Sequence, residues 1–296
     1  MKIPHMSWLF LTPLFQLMLC VLAFGQCLNS ERNLLLQLKQ NLTFNSSSST
    51  KLVHWNQTTE DCCNWRGVTC NKTSGRVIGL DLENEAITSK INSSSTLFKL
   101  QFLEIFNLAS NRFNETEIPA GLFNLTRLVY LNLSNSFSGQ VPNVFSHMEK
   151  LVVLDLSSSN SLVIENPNLS RIVQNLTQLT ELYLDTVNMS SDWSRAISSS
   201  LPNLRILSLT DCHITGPIDP SFGKFQFLSV INLDRNNLSV PFPKSFANLS
   251  TLTDLSLHSC NLSGVFPQRI LQKPTLKALR LSYNELLEVS LPETNS

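Results

Sequence analysis

Nine times between residue 77 and the end of the chain, a large apolar residue is followed two places later by a leucine. Around these pairs a longer frame recurs, Leu-x-x-Leu-x-Leu-x-x-Asn-x-Leu. The cleanest copies run from Leu228 through Ile231, Leu233 and Asn236 to Leu238, and from Leu276 through Leu279, Leu281 and Asn284 to Leu286. Between them, Leu252 to Leu262 carries Cys260 in place of the Asn. Taking the first member of each pair as phase marker gives Leu80, Phe106, Leu131, Leu154, Leu182, Leu207, Ile231, Leu255 and Leu279. The last three intervals are 24 residues each and the others 23 to 28. A unit this short cannot bury its own apolar face, so the units must stack as coils of one solenoid. With 42% hydrophobic residues in 296, the chain has the apolar surface to fill such a core.

Alternation within each pair dictates a short strand: in Leu207-Ser208-Leu209 the leucines point inward and Ser208 is expected to face solvent. One strand per coil builds a parallel β-sheet. The Asn that follows, as at Asn111, Asn236 and Asn284, stands where the chain turns inward, and its amide can pair backbone groups of adjacent coils that would otherwise be buried alone. Beyond the turn, Gly139-Gln140-Val141-Pro142, Gly264-Val265-Phe266-Pro267 and Gly216-Pro217-Ile218 predict an extended stretch that then bends. Phe123, Phe145, Phe222 and Phe246 are expected to open the return side as inward spine residues. Two units depart from the frame. Leu131 to Phe137 reads one residue short before the turn, and Leu156-Ser157-Ser158-Ser159 lacks the Asn, so the middle coils are expected to be irregular.

The first 25 residues read as a cleaved leader: Lys2 is the positive end, Trp8 to Phe24 is mostly apolar with Pro13 and Gln16 interrupting it, and Ala23-Phe24-Gly25 supplies small residues near a cut before Gln26. No later stretch is apolar enough to span a bilayer. Secretion predicts N-glycosylation, and Asn-x-Ser/Thr triplets begin at Asn41, Asn45, Asn56, Asn71, Asn92, Asn114, Asn124, Asn132, Asn168, Asn175, Asn188, Asn237, Asn248 and Asn261. The 22 Lys and Arg balance 22 Asp and Glu, which removes the basic footprint of a nucleic-acid binder.

Residues 26 to 76 precede the repeats, placed to cover the open apolar end of the stack. Leu34, Leu35, Leu38 and Leu42 have the spacing of one amphipathic helix. Cys27, Cys62, Cys63 and Cys70 then make two disulfides in an oxidising compartment, and adjacent Cys62 and Cys63 are poorly placed to bond to each other, which leaves two pairings. A zinc site is disfavoured because no histidine has suitable spacing. Cys212 and Cys260 each occupy the Asn position of their coil and lie two coils apart, too far to bridge, so both are expected to be free, buried thiols.

Leu262-Ser263-Gly264-Val265-Phe266-Pro267 resembles the Leu-Ser-Gly-x-Ile-Pro segment of plant extracellular leucine-rich-repeat proteins. The cysteine cap, the Asn114 to Pro119 stretch, and Glu165-Asn166-Pro167-Asn168-Leu169 leading into Val173-Gln174-Asn175-Leu176 are similar to the amino-terminal part of receptor-like proteins of the disease-resistance type. The resemblance implies an α/β repeat solenoid, a horseshoe or superhelix with its parallel sheet on the concave face and a disulfide-stapled cap over residues 26–76. About nine repeats would follow over 77–296, ending uncapped. It also implies the pairing Cys27 to Cys62 and Cys63 to Cys70. The implied function is the ligand-binding portion of a cell-surface receptor in defence signalling, with a peptide or protein ligand and a co-receptor kinase as partners. A soluble wall protein that inhibits a microbial polysaccharide-degrading enzyme, or a decoy product, is the second reading.

No phosphate loop, nucleophile elbow or His-Glu-x-x-His is present, and the histidines fall at different phases of the repeat, so an enzyme, a metal centre or a cofactor is not expected. What the pattern offers is a continuous strand face. Among its outward positions, Tyr183, Asp185, Asp234, Arg235, His258, Arg280 and Tyr283 are the aromatic and charged candidates for anchoring a ligand.

Overall fold

The structure, a computed structural model, describes residues 25–56, 61–113, 116–158, 162–165, 168–189 and 192–290. The expected leader lies outside these residues except for Gly25, as do Asn114, Ser159 and the last six residues.

The nine phase markers lie on nine strands in register, each one residue before its strand's last. Strands β2 (Val77–Asp81), β3 (Ile105–Asn107), β4 (Tyr130–Asn132), β6 (Val153–Asp155), β8 (Glu181–Tyr183), β10 (Ile206–Ser208), β11 (Val230–Asn232), β12 (Asp254–Ser256) and β14 (Ala278–Arg280) form one parallel run. Leu80 pairs with Phe106, then Leu131, Leu154, Leu182, Leu207, Ile231, Leu255 and Leu279 in turn. From Leu80 to Leu255 every marker is at most 1% exposed. Two smaller sheets lie just after the turns: β5 (Gly139–Gln140), β7 (Leu162–Ile164) and β9 (Asn188–Met189), and separately β13 (Ser263–Val265) with β15 (Leu286–Glu288). The return side holds single 3₁₀ turns and three short helices, α2 (Asn168–Val173), α3 (Trp193–Ser200) and α4 (Gln268–Leu271).

The cap is built by helix α1 (Asn29–Asn41), which buries Leu35 and Leu38, and by β1 (Val68–Cys70), which pairs antiparallel with β2 and closes that edge of the sheet. Cys27 is bonded to Cys62 and Cys63 to Cys70, the pairing the family resemblance implied. Trp55 and Trp65 stack at 5.5 Å, and the Trp55 indole N–H donates to the Arg66 carbonyl.

The turn position, five residues after each marker, holds a ladder. Asn236 donates through Nδ2 to the carbonyls of Leu209 (2.7 Å) and Leu233 (2.8 Å) and accepts at Oδ1 from the N–H groups of Cys212 and Ile214. Asn111 and Asn284 donate likewise to one carbonyl of the preceding coil, Leu82 and Leu257, and to one of their own, Leu108 and Leu281. Cys212 and Cys260 are free and fully buried, and each thiol faces a carbonyl that an Asn amide would serve, Leu184 O at 3.0 Å and Leu233 O at 3.1 Å. In eight of the nine coils the residue just before the ladder position turns left-handed, with φ from 53° at Asn135 to 61° at Thr186.

Three particulars differ from the sequence expectation. Phe123 is 52% exposed, because the inward place on the return side is the third residue after Pro119, which is Leu122. Phe145, Phe222 and Phe246 do hold that inward place. Ser208 is 7% exposed, since the Asp185 carboxylate of the preceding coil covers its hydroxyl. In the third coil nothing is missing before the turn: Ser136 takes the ladder position and donates to Leu108 O. The coil is short after it, where Phe137 folds inward at once and stacks on Phe113 at 4.7 Å.

Candidate ligand-binding face

Because the strands are in register, residues flanking each marker form columns across the coils, about 4.8 Å apart. The column after the markers begins Asp81, Asn107, Asn132, Asp155, Tyr183 and continues through Ser208, Asn232 and Ser256 to Arg280. Two residues further on stand Asp185, Asp234 and His258, and one more brings Arg235 and Tyr283. The seven candidates therefore do not make one site. Tyr183 and Tyr283 are four coils apart, roughly 19 Å along the sheet.

The first group is centred on Tyr183. Its hydroxyl donates to Glu181 Oε2 (2.9 Å), and it lies between Asp155 and Ser208 in the register. Burial, then the Glu181 hydrogen bond and charge, push the phenol up, so it remains a donor across the physiological range. Burial also pushes the Asp155 carboxyl up, opposed by hydrogen bonds from Ser157 and reinforced by the charge of Asp185. Asp185 Oδ1 accepts from Ser208 Oγ (2.7 Å) and from the Thr210 N–H (2.6 Å). The group is an aromatic ring set among three carboxylates, chemistry suited to a cationic side chain or to peptide N–H donors.

The second group lies where β11, β12 and β14 end. A groove of about 850 Å³ is lined there by Arg235, His258 and Tyr283 together with Asn237, Asn261 and Glu285. The Tyr283 ring is 77% exposed and meets His258 edge to face at 5.0 Å. His258 Nδ1 is 3.0 Å from Ser282 Oγ, and the His258 N–H donates to Asp234 Oδ1 (2.8 Å), so Asp234 braces the groove from one side. Arg280 is exposed on the strand face itself, beside Ser256.

A search for polar anchors overlooks the column before the markers, which is largely apolar and is broken by Glu181 and Asp254. Ile105, Tyr130 and Val153 are consecutive in register, and Ile206 and Val230 continue it after Glu181. Ile105 is 45% exposed, and beside it is Gly79, where even a Cβ would lie 3.8 Å from that of Ile105. Phe102 sits at the rim between the guanidinium groups of Arg76 (3.9 Å) and Arg127 (4.4 Å). The signal was present in the sequence as β-branched residues at outward strand positions, where solvation alone calls for polar ones.

Comparison with known proteins agrees with this architecture. Residues 28–71 match the leucine rich repeat N-terminal domain family and residues 202–262 match the leucine rich repeat family. The chain is a leucine-rich-repeat protein, similar in sequence to plant receptor-like proteins. Receptor-like protein 6 of Arabidopsis thaliana is 38% identical over 197 residues, 64% of this chain and 20% of that protein. Receptor-like protein EIX1 of Solanum lycopersicum is 32% identical over 224 residues, 70% of this chain and 21% of that protein. The leucine-rich-repeat chain thus spans about a fifth of the length of these relatives. Among solved structures, a plant ice-binding protein matches with TM-score 0.71 at 24% identity, covering 90% of this chain and 88% of its own, a likeness of fold alone. The ectodomain of the Arabidopsis thaliana receptor kinase GASSHO1/SCHENGEN3, solved with CASPARIAN STRIP INTEGRITY FACTOR 2, matches with TM-score 0.55 at 26% identity over 88% of this chain and 36% of that one. No helix among the described residues is long and apolar enough to cross a membrane.

Proposed function

We propose that this chain is the amino-terminal, ligand-binding portion of a receptor-like ectodomain at the plant cell surface. In this reading it takes a peptide or protein ligand in defence perception and signals through a co-receptor kinase. The observation that carries it is the in-register strand face, where a column of exposed Ile105 and half-buried Tyr130, Val153, Ile206 and Val230 runs beside a polar one centred on Tyr183, Asp155 and Asp185. An extended segment laid across the coils would meet both columns in every 4.8 Å step, roughly the rise of one and a half strand residues. Similarity to receptor-like proteins supports the reading, as does the complex of a structurally similar receptor ectodomain with CASPARIAN STRIP INTEGRITY FACTOR 2. Binding and not turnover is the proposed activity, since Tyr183, Asp185 and Asp234 are engaged in hydrogen bonds within and between coils.

The test is a selection of binders from a random peptide library against the secreted, glycosylated chain, followed by affinity measurement on variants. Tyr183→Ala and Ile105→Asp should each weaken the selected peptides by about tenfold or more, the loss typical of an interface hot spot. Peptides that bind both variants as tightly as the parent would place recognition elsewhere and sink the proposal.

A further inference from the structure

The groove at the ends of β11, β12 and β14 is bordered by two glycosylation triplets. Asn237 and Asn261 occupy the same place in successive coils, one residue past the ladder, and both are exposed. Their amides are not equivalent. Asn261 Nδ2 donates to Asn237 Oδ1 (3.1 Å) and to Ser239 Oγ (2.9 Å), so both of its amide protons are engaged. Asn237 accepts at Oδ1 from Asn261 and from Ser239, and its Nδ2 donates to no group among the described residues. A sugar on Asn261 would displace one of those donated bonds, whereas a sugar on Asn237 would leave the network whole.

We propose that Asn237 carries an N-linked oligosaccharide whose first sugars lie in the groove against Tyr283, making the groove a dock for the protein's own glycan. Transfer from a lipid-diphosphate oligosaccharide forms the C–N bond at Asn237 Nδ2 and breaks the glycosyl–phosphate bond. The lipid diphosphate leaves, together with one amide proton. Once the chain has folded, the path from Asn237 to Tyr283 crosses two coil spacings, about 10 Å. Along it the groove offers Arg235 and Glu285 as partners for sugar hydroxyls. At its far side the exposed ring of Tyr283, held against His258, presents an apolar surface to the C–H face of a pyranose. The volume of about 850 Å³ is within the range of roughly 300–1,000 Å³ that accommodates a ligand of a few rings. Arg235, His258 and Tyr283 would then be shielded from a protein ligand, and recognition would fall to the strand face.

This inference rests on the secretory passage that the proposed function assumes, and the test separates the two. The full chain is expressed through a plant secretory pathway, glycopeptides are mapped by mass spectrometry, and tyrosine nitration is quantified on the folded protein. Asn237 should be occupied. Ser239→Ala, which cancels that triplet, should raise Tyr283 nitration by about threefold or more as the ring is uncovered. Ser263→Ala, which cancels the triplet at Asn261, should leave it unchanged. Enzymatic removal of glycans from the folded wild-type protein should reproduce the Ser239→Ala result without any substitution. An unmodified Asn237 beside occupied triplets elsewhere, or nitration indifferent to Ser239→Ala and deglycosylation, overturns this inference alone. Absence of sugar from every triplet overturns it together with the secretory reading.

Discussion

Glu85 stands where other coils place an asparagine, and it shows how much one ladder residue can decide. Its carboxylate is fully buried, yet it is held below the usual carboxylate range. Burial alone would raise it, and the Ser49 hydroxyl with the N–H groups of Leu52, Thr50 and Lys51 outweighs that. Those donors belong to the cap, so Glu85 ties the cap to the first coil and also satisfies the start of the 3₁₀ turn at Leu52–His54. A group whose folded pKa is depressed stabilises the protein above its unfolded value, near 4.3, and that stability is lost as pH falls through the folded value. Glu85→Gln should therefore lower thermal stability at pH 7 by about 1–3 kcal/mol and flatten the loss below pH 4 in a melting series. An acid limb unchanged by the substitution would remove Glu85 from this role. Counting five residues from Leu80 reaches Glu85, so the position was legible, but the expectation of an amide hid a carboxylate doing the same work across a different interface. The thiols were read correctly by the same count. Burial pushes Cys260 up to about 12, so iodoacetamide at pH 8 should label neither Cys260 nor Cys212 until the chain unfolds, and rapid native labelling would contradict their burial.

Across a whole coil, the strand side and the return side carry very different amounts of sequence information. Strand alternation has a period of two and repeats nine times, so all nine markers could be placed to the residue. The return side is a single turn with no period of its own, which is why Phe123 was assigned inward by its residue type when the backbone turns Leu122 in. Distance from the turn's first residue is the better guide: Leu122, Phe145 and Phe246 each follow Pro by three, and Phe222 follows Asp219 by three. The two readings separate in a simple pair of variants. Leu122→Ala should cost about 2–5 kcal/mol as a cavity opens, and Phe123→Ala should change stability by no more than about 0.5 kcal/mol. Equal losses in chemical denaturation would mean that both side chains are buried.

For the molecule as a stack, the question is what holds neighbouring coils together where the ladder lapses. Ser136 keeps only a hydroxyl at that position in the third coil, and Val187 offers no polar side chain in the fifth. The lateral sheet β5–β7–β9 spans those same coils and supplies backbone pairing there, as with the Val141 N–H to Val163 O bond (2.9 Å). In these coils the lateral sheet stands in for the ladder, whereas β13 and β15 pair where the Asn284 ladder is intact, and the irregular middle of the sequence is a change of mechanism within a constant fold. Solenoid stability is close to a sum of terms for each coil and its neighbours, so damage should remain local. Val163→Pro removes an N–H from the central strand of the lateral sheet and should cost about 3 kcal/mol or more. Hydrogen exchange should then accelerate in β4, β6 and β8 and leave β11 and β12, three coils or more from the substitution, at their original rates. Uniform acceleration would instead show that the nine coils open as one cooperative unit, with the lateral sheet acting on the whole stack at once.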